Sequence, residues 1–246
     1  MIRLLRTAAA LSVLGLAACA QADPGQMSKS DVEEIVRAYL LENPEVIREA
    51  LIELDRKDSQ AELQDSVDAI AELSDQIFRD PRDYSIGPKD AKVQLVEFFD
   101  YNCGFCKRST DWVEATIEKH PDDVRVVFKE LPVLTGRDGT SHMAARAALA
   151  AARQGKYRQM HFAMMGERAL NRKRVLDLAK TMGLDTEQLE RDMKDPAIDR
   201  QIADNLALGQ RIPALTGTPF FIVNDEFVSG ADMAKMTELL DAALEG

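Results

Sequence analysis

Val93-Gln94-Leu95-Val96-Glu97-Phe98-Phe99 is a run of β-branched and aromatic residues. Asp100-Tyr101-Asn102 closes it, and Cys103-Gly104-Phe105-Cys106 follows at once. Such a run predicts a buried strand, the polar triplet its end, and the periodicity beyond it a helix from Cys103 to about Lys119. Val124-Arg125-Val126-Val127-Phe128-Lys129 reads as the next strand. Strand, helix and strand then close a βαβ unit, with the two cysteines where the first strand hands over to the helix.

Downstream, nearly everything between Thr140 and Gln210 carries a helical pattern. It begins with an alanine-rich helix from Ala144 to Ala152 and ends with one from about Ala197 to Gln210, after Pro196. Thr218-Pro219-Phe220-Phe221-Ile222-Val223, the turn Asn224-Asp225 and Glu226-Phe227-Val228 form a hairpin pattern. Met233 to Leu244 closes the chain as a helix. The expected fold class is therefore α/β: a thioredoxin framework carrying a helical insertion at about residues 137–210.

Upstream, residues from about Ser28 to Phe78 read as helix. Val32, Ile35, Val36, Tyr39 and Leu40 recur at helical spacing, as do Val46, Ile47, Ala50, Leu51 and Leu54. Asn43-Pro44 divides the run, with Asn43 as the expected N-cap of the second helix. The stripe is too thin to build a core by itself, so it must cover its own catalytic domain or associate with copies of itself. Self-association is the expectation. Arg79 to Pro88, with two prolines and Gly87, reads as a linker.

Before the helices, Met1-Ile2-Arg3-Leu4-Leu5-Arg6 and the apolar run to about Ala20 form a secretory signal pattern. Ala20-Gln21-Ala22 suits cleavage after Ala22. Leu16-Ala17-Ala18-Cys19 resembles a lipobox, which would anchor the protein through Cys19. The expected layout is a signal peptide at 1–22, a helical segment at 23–80 and a thioredoxin-like catalytic domain at 81–246, in an exported, periplasmic protein. The chain has 246 residues, 46% of them hydrophobic, and a formal charge of -11. That supports a real core and argues against a nucleic-acid partner, because phosphate is gripped by clustered lysine and arginine.

Cys103 and Cys106 are the cysteines left for chemistry, and the loop between them is too short to staple anything structural. A cysteine at a helix N-terminus meets unpaired amides and the positive end of the helix dipole, which stabilise a thiolate. Cys103 is thus the expected nucleophile, and Cys106, one turn on, the thiol that resolves the mixed disulfide. Gly104 and Phe105 set the local geometry, and Lys107 and Arg108 add nearby positive charge. Half of a zinc site is the other reading of such a pair, but no second pair exists, and His120, His142 and His161 are scattered. The chemistry calls for no metal and no cofactor.

Val96 to Cys106 resembles the active-site strand and helix of DsbA-like thiol:disulfide oxidoreductases, a resemblance that extends from about Val93 to the C-terminus. It implies that Thr218-Pro219 is the cis-proline loop facing the dithiol, with both residues binding substrate. It also implies that Glu97 is the buried acid that moves the resolving cysteine's proton, and that Lys129 on the neighbouring strand partners that acid. Val32 to Val46 resembles the leader helices of ScsC-type suppressor-of-copper-sensitivity proteins. The two resemblances together imply an oligomeric disulfide isomerase or reductase, acting on exported protein thiols and disulfides and served by a membrane redox partner. A DsbA-like oxidase and a non-catalytic copper-binding or holdase module are the alternatives.

Overall fold

A computed structural model describes residues 27–246; the signal segment and Cys19 lie outside the described residues. The chain divides into two compact units, one reaching Asp55 and the other running from Arg56 to Gly246.

In the first unit, α1 (Lys29–Glu42) starts on a capping box. Ser28 Oγ accepts from the Asp31 amide at 3.2 Å while the Asp31 carboxylate accepts from the Ser28 amide at 3.1 Å. Asn43 closes α1 rather than opening the next helix: its amide and its Nδ2 both donate to the Tyr39 carbonyl, at 2.8 and 2.9 Å. Helix α2 (Glu45–Glu72) begins just past Pro44. None of α1 is buried, and Val32, Ile35, Val36 and Tyr39 stand 45–57% exposed.

The second unit takes in the end of α2 and α3 (Ser74–Phe78), and is built on a five-stranded sheet. Its strands are β1 (Tyr84–Ile86), β2 (Val93–Phe99), β3 (Val124–Glu130), β4 (Phe220–Val223) and β5 (Glu226–Ser229), in the order β1-β3-β2-β4-β5. β2 and β3 run parallel, joined by α4 (Gly104–Lys119), and the other pairings are antiparallel. The insertion is five helices, α5 (Thr140–Ala152), α6 (Tyr157–Met165), α7 (Arg172–Thr181), α8 (Thr186–Asp192) and α9 (Pro196–Gly209), and α10 (Met233–Glu245) closes the unit.

Alternation along β2 and β3 builds two cores. Val93, Leu95, Phe99, Val126 and Phe128 face α4, α10 and the alanine-rich α5. Val96, Phe98 and Val127 face Ile70 from α2, Leu73 between the helices and Ile77 from α3, with Leu208 and Ile212 from α9 and the turn after it. Each such side chain contributes about 1.5–3 kcal/mol of burial. The last turns of the N-terminal helical segment are therefore part of the second unit's core, and the division falls inside α2 rather than near residue 80. Ser66 adds a polar tie, its Oγ accepting from the Ala214 amide at 2.9 Å.

The expected linker at 79–88 contains a strand. Tyr84, Ser85 and Ile86 pair with Phe128, Val127 and Val126, and the Tyr84 ring stacks on Tyr157 at 4.3 Å. Three residues are too few to show a period. Gly87 follows at φ +104°, where an added Cβ would sit 2.1 Å from the Val124 carbonyl oxygen, so the return from β1 requires glycine.

Candidate active site

The site forms where β2 ends. The Asp100 carboxylate is buried and fully used: Oδ1 accepts from the Asn102 amide at 2.7 Å and Ser141 Oγ at 2.8 Å, and Oδ2 from the Leu134 amide at 2.9 Å. Asn102 Nδ2 donates to Thr140 Oγ1 at 2.7 Å and Ser141 Oγ at 2.9 Å. The turn into α4 is thus held against the first turn of α5. Lys107 adds a second tie to the insertion, its Nζ donating to the Glu167 carbonyl at 2.5 Å.

Cys103 is the N-cap of α4, and both cysteines are free thiols. Cys103 Sγ accepts from the Cys106 amide at 3.5 Å and donates to the Thr218 carbonyl at 3.1 Å. Cys103 is 5% exposed and Cys106 is fully buried. Their acidities diverge accordingly. Hydrogen bonding from the Cys106 thiol, then from the Thr218 hydroxyl and the Cys106 and Phe105 amides, outweighs burial and lowers the Cys103 thiol to about 5. Burial, then the bond to Cys103 and the charge of Glu97, push Cys106 far above the ordinary thiol range. In the thiol state Thr218 Oγ1 is buried without a hydrogen-bond partner, a donor held for the charged sulfur.

Glu97 lies under the helix start, on the same face as Leu95 and Phe99. Burial first, and the Cys103 charge second, raise its carboxyl to about 8, and Ser109 opposes them. Its Oε1 has no hydrogen-bond partner. The Thr218-Pro219 bond is cis, and the Thr218 carbonyl accepts from the Cys103 sulfur. Gly104 has open space around it, and Phe105 projects 56% exposed beside the dithiol, with the Arg108 guanidinium 4.2 Å from its ring centre.

Lys129 corrects the expectation drawn for it. Its register partner on β2 is Phe98, so its side chain leaves the face opposite to Glu97, and the sheet separates the two. It is fully buried there, donating to the Asp83 carboxylate and the Gln76 carbonyl. Gln201 and Asn205 also donate to Asp83, at 3.1 and 3.4 Å.

His161, which reads in the sequence as an ordinary helix residue, is buried among Phe99, Phe128 and Phe162. Its Nδ1 is 3.0 Å from Tyr101 Oη. Burial lowers it to about 3, so the imidazole is neutral. Tyr101 and Tyr157 both donate to the buried Glu130 carboxyl, at 3.1 and 2.8 Å. No spacing rule joins these four residues, because they come from a turn, a strand and a helix.

A thiolate at a helix start, a buried partner thiol and a cis-proline carbonyl on the reactive sulfur make a centre for thiol-disulfide exchange. The sequence matches the family described as DSBA-like thioredoxin domain over residues 94–241. The chain belongs to that family. Residues 29–61 of this DsbA-like protein match a second family, Copper resistance protein ScsC N-terminal domain. Among solved structures, a thioredoxin-like oxidoreductase from Silicibacter pomeroyi is 40% identical, with a TM-score of 0.63, covering 70% of this chain and 98% of that one. Proteus mirabilis ScsC in a transitional conformation is 30% identical, with a TM-score of 0.64, covering 88% and 96%. Among curated proteins, the Na(+)/H(+) antiporter NhaA of Herminiimonas arsenicoxydans is 30% identical over 165 residues, 67% of this chain and 26% of the antiporter. The DsbA-like chain thus spans about a quarter of the length of that relative. Among its own described residues no helix is long and apolar enough to cross a membrane. The fold is thioredoxin-like with a helical N-terminal segment.

Proposed function

We propose that this DsbA-like chain is a thiol-disulfide oxidoreductase that works in the periplasm as a disulfide isomerase or reductase, assembled with copies of itself through α1 and the start of α2. The exposed stripe of Val32, Ile35, Val36 and Tyr39, continued by Ile47, Leu51 and Leu54, carries this reading. Apolar side chains at helical spacing on an unburied helix call for a cover. A second copy brings a second dithiol, and an isomerase that must stay on its substrate through successive exchanges gains from the raised local concentration. The match of residues 29–61 to the ScsC N-terminal domain supports the same assignment.

The chemistry begins with the Cys103 thiolate attacking a substrate disulfide. A Cys103 mixed disulfide forms and one substrate sulfur leaves as thiolate. In isomerisation another substrate thiolate attacks the mixed disulfide and expels Cys103 unchanged. In reduction Cys106 attacks instead, its proton passes to Glu97, and the enzyme leaves as the Cys103-Cys106 disulfide, to be reduced again by a membrane partner. Thr218 and Pro219 offer the substrate backbone an added-strand contact, and Phe105 offers it an apolar one.

Reactivation of scrambled ribonuclease tests this with the wild type, Cys103→Ser and the double variant Ile35→Asp, Leu51→Asp, whose sites are solvent-exposed. Cysteine-dependent reactivation is expected, falling severalfold in the double variant together with its mass in light scattering. A wild type that only oxidises reduced ribonuclease, with a double variant unchanged in rate and mass, would make the protein a DsbA-like oxidase with a structural appendage.

A further inference from the structure

The opening of α4 runs against the usual charge preference of a helix start. That end of a helix favours acids, yet α4 has none in its first turn and places Lys107 and Arg108 directly after the dithiol. In a chain with a formal charge of -11, two cations beside the reactive sulfur need a reason. Lys107 has one, its ammonium being occupied by the Glu167 carbonyl at 2.5 Å.

Arg108 has no such partner. It is exposed, and among the described residues its guanidinium forms no ion pair and no hydrogen bond. Asp111 stands three residues on along the same helix, a spacing at which arginine and carboxylate pair. The guanidinium turns the other way instead, its carbon 4.2 Å from the centre of the Phe105 ring. Phe105 belongs to the loop that joins Cys103 to Cys106 and is itself 56% exposed, so the pair stands at the surface of the dithiol loop. Contact with the ring occupies one side of the guanidinium and leaves N–H donors free on the rest. The protein thus holds a forked cation on an apolar platform and supplies it with no acceptor.

An acidic side chain brought by the substrate fits both features. Its carboxylate meets the fork through parallel N–H···O bonds, and its methylene stem meets the ring. The added-strand contact proposed for Thr218 and Pro219 is made with backbone, which carries no side-chain preference, so discrimination falls to groups such as these. We infer that Arg108, seated on Phe105, is a specificity-determining residue that selects protein disulfides with Asp or Glu beside the reacting cysteine. The step it favours is the first exchange. The Cys103 thiolate attacks one substrate sulfur, a Cys103-substrate disulfide forms, the substrate disulfide breaks, and its second sulfur leaves as thiolate, with no external oxidant or reductant. The inference rests on Cys103 being the attacking thiol.

The test uses the reduced full chain and disulfide-linked dimers of a short peptide carrying Glu, Gln or Lys next to its cysteine, on either flank in turn. Loss of the free dithiol is followed by acid quench and alkylation of the remaining thiols, for the wild type, Arg108→Ala and Phe105→Ala. The readout is the ratio of the Glu rate to the Gln rate, which cancels the thiolate fraction of Cys103 and any general damage to the site. The wild type is expected to prefer Glu, and Arg108→Ala to lower the ratio about threefold, the effect of one exposed charge pair. Phe105→Ala should lower it similarly although the arginine remains, because the guanidinium has lost its seat. The Lys peptide should gain on the Gln peptide in Arg108→Ala, and high salt should bring the wild-type ratio toward that of this variant. A ratio unaltered by Arg108→Ala would overturn the inference. A ratio that falls in Arg108→Ala and not in Phe105→Ala would overturn the seat and leave only a diffuse surface charge. A wild type that exchanges with none of the peptides would instead remove the reading of Cys103 itself.

Discussion

Cys103→Ser is expected to abolish thiol-disulfide exchange, and Cys106→Ala to block reduction, leaving a substrate that has no second free thiol covalently held on Cys103. Burial, the bond to Cys103 and the charge of Glu97 hold the proton on Cys106 until a mixed disulfide forms beside it, so Cys103 alone is expected to begin the reaction. Iodoacetamide labelling of the reduced protein should give one adduct per dithiol, with a rate midpoint near pH 5. Non-reducing electrophoresis of Cys106→Ala should show the trapped adduct. A labelling midpoint in the ordinary thiol range would remove the electrostatic account of the site.

The same shift decides how reduced-state stability depends on pH. The folded Cys103 thiol titrates at about 5 against an ordinary value of 9.0, so between those limits the unfolded chain binds more protons. The contribution is fully present above pH 9, declines toward acid, and is lost as pH falls through 5. The disulfide form has no such term, so over the neutral range the thiolate favours the reduced enzyme and makes the oxidised one a better acceptor of electrons.

Lys129→Met is expected to cost about 3–5 kcal/mol, because it leaves the Asp83 carboxylate buried without its cation. The double variant Lys129→Met, Asp83→Asn should lose less, since the amide carries no charge and its oxygen still accepts from Gln201. Urea unfolding of the two variants checks this, and a Lys129→Met midpoint equal to wild type would mean that the pair is solvated. Oxidoreductase activity at low temperature should persist in both, as the pair lies across the sheet from the dithiol.

The contrast between Glu97 and Lys129 shows where sequence reading reaches its limit. Both are polar residues in apolar strands, and the strands themselves are legible from their composition. The parallel register, which sets Lys129 opposite Phe98 rather than Glu97, is decided by packing between segments far apart in sequence. The dithiol and its helix start carry a local signature, whereas the approach of Thr218-Pro219 to the dithiol was implied by the resemblance alone. The Tyr101, Glu130, Tyr157 and His161 cluster had none, and neither did β1, whose three residues acquire meaning only against β3. The stripe on α1 and α2 was visible throughout. That Ile70 of α2, Leu73 just after it and Ile77 of α3 join the core under the sheet depends on what they meet in space, which no period in the sequence records.

The exposed stripe has a consequence in ionic strength. Acidic residues clearly outnumber basic ones along α1 and α2, so copies that meet through the stripe bring like charges together. The apolar attraction is insensitive to moderate salt, whereas the repulsion is screened beyond about 10 Å at 0.1 M. Assembly should therefore tighten as salt is added, opposite to a salt-bridged interface, and sedimentation in 20 mM and 300 mM sodium chloride distinguishes the two. A protein built this way would associate more firmly in a saline compartment than in fresh water, its activity following its surroundings with no ligand bound.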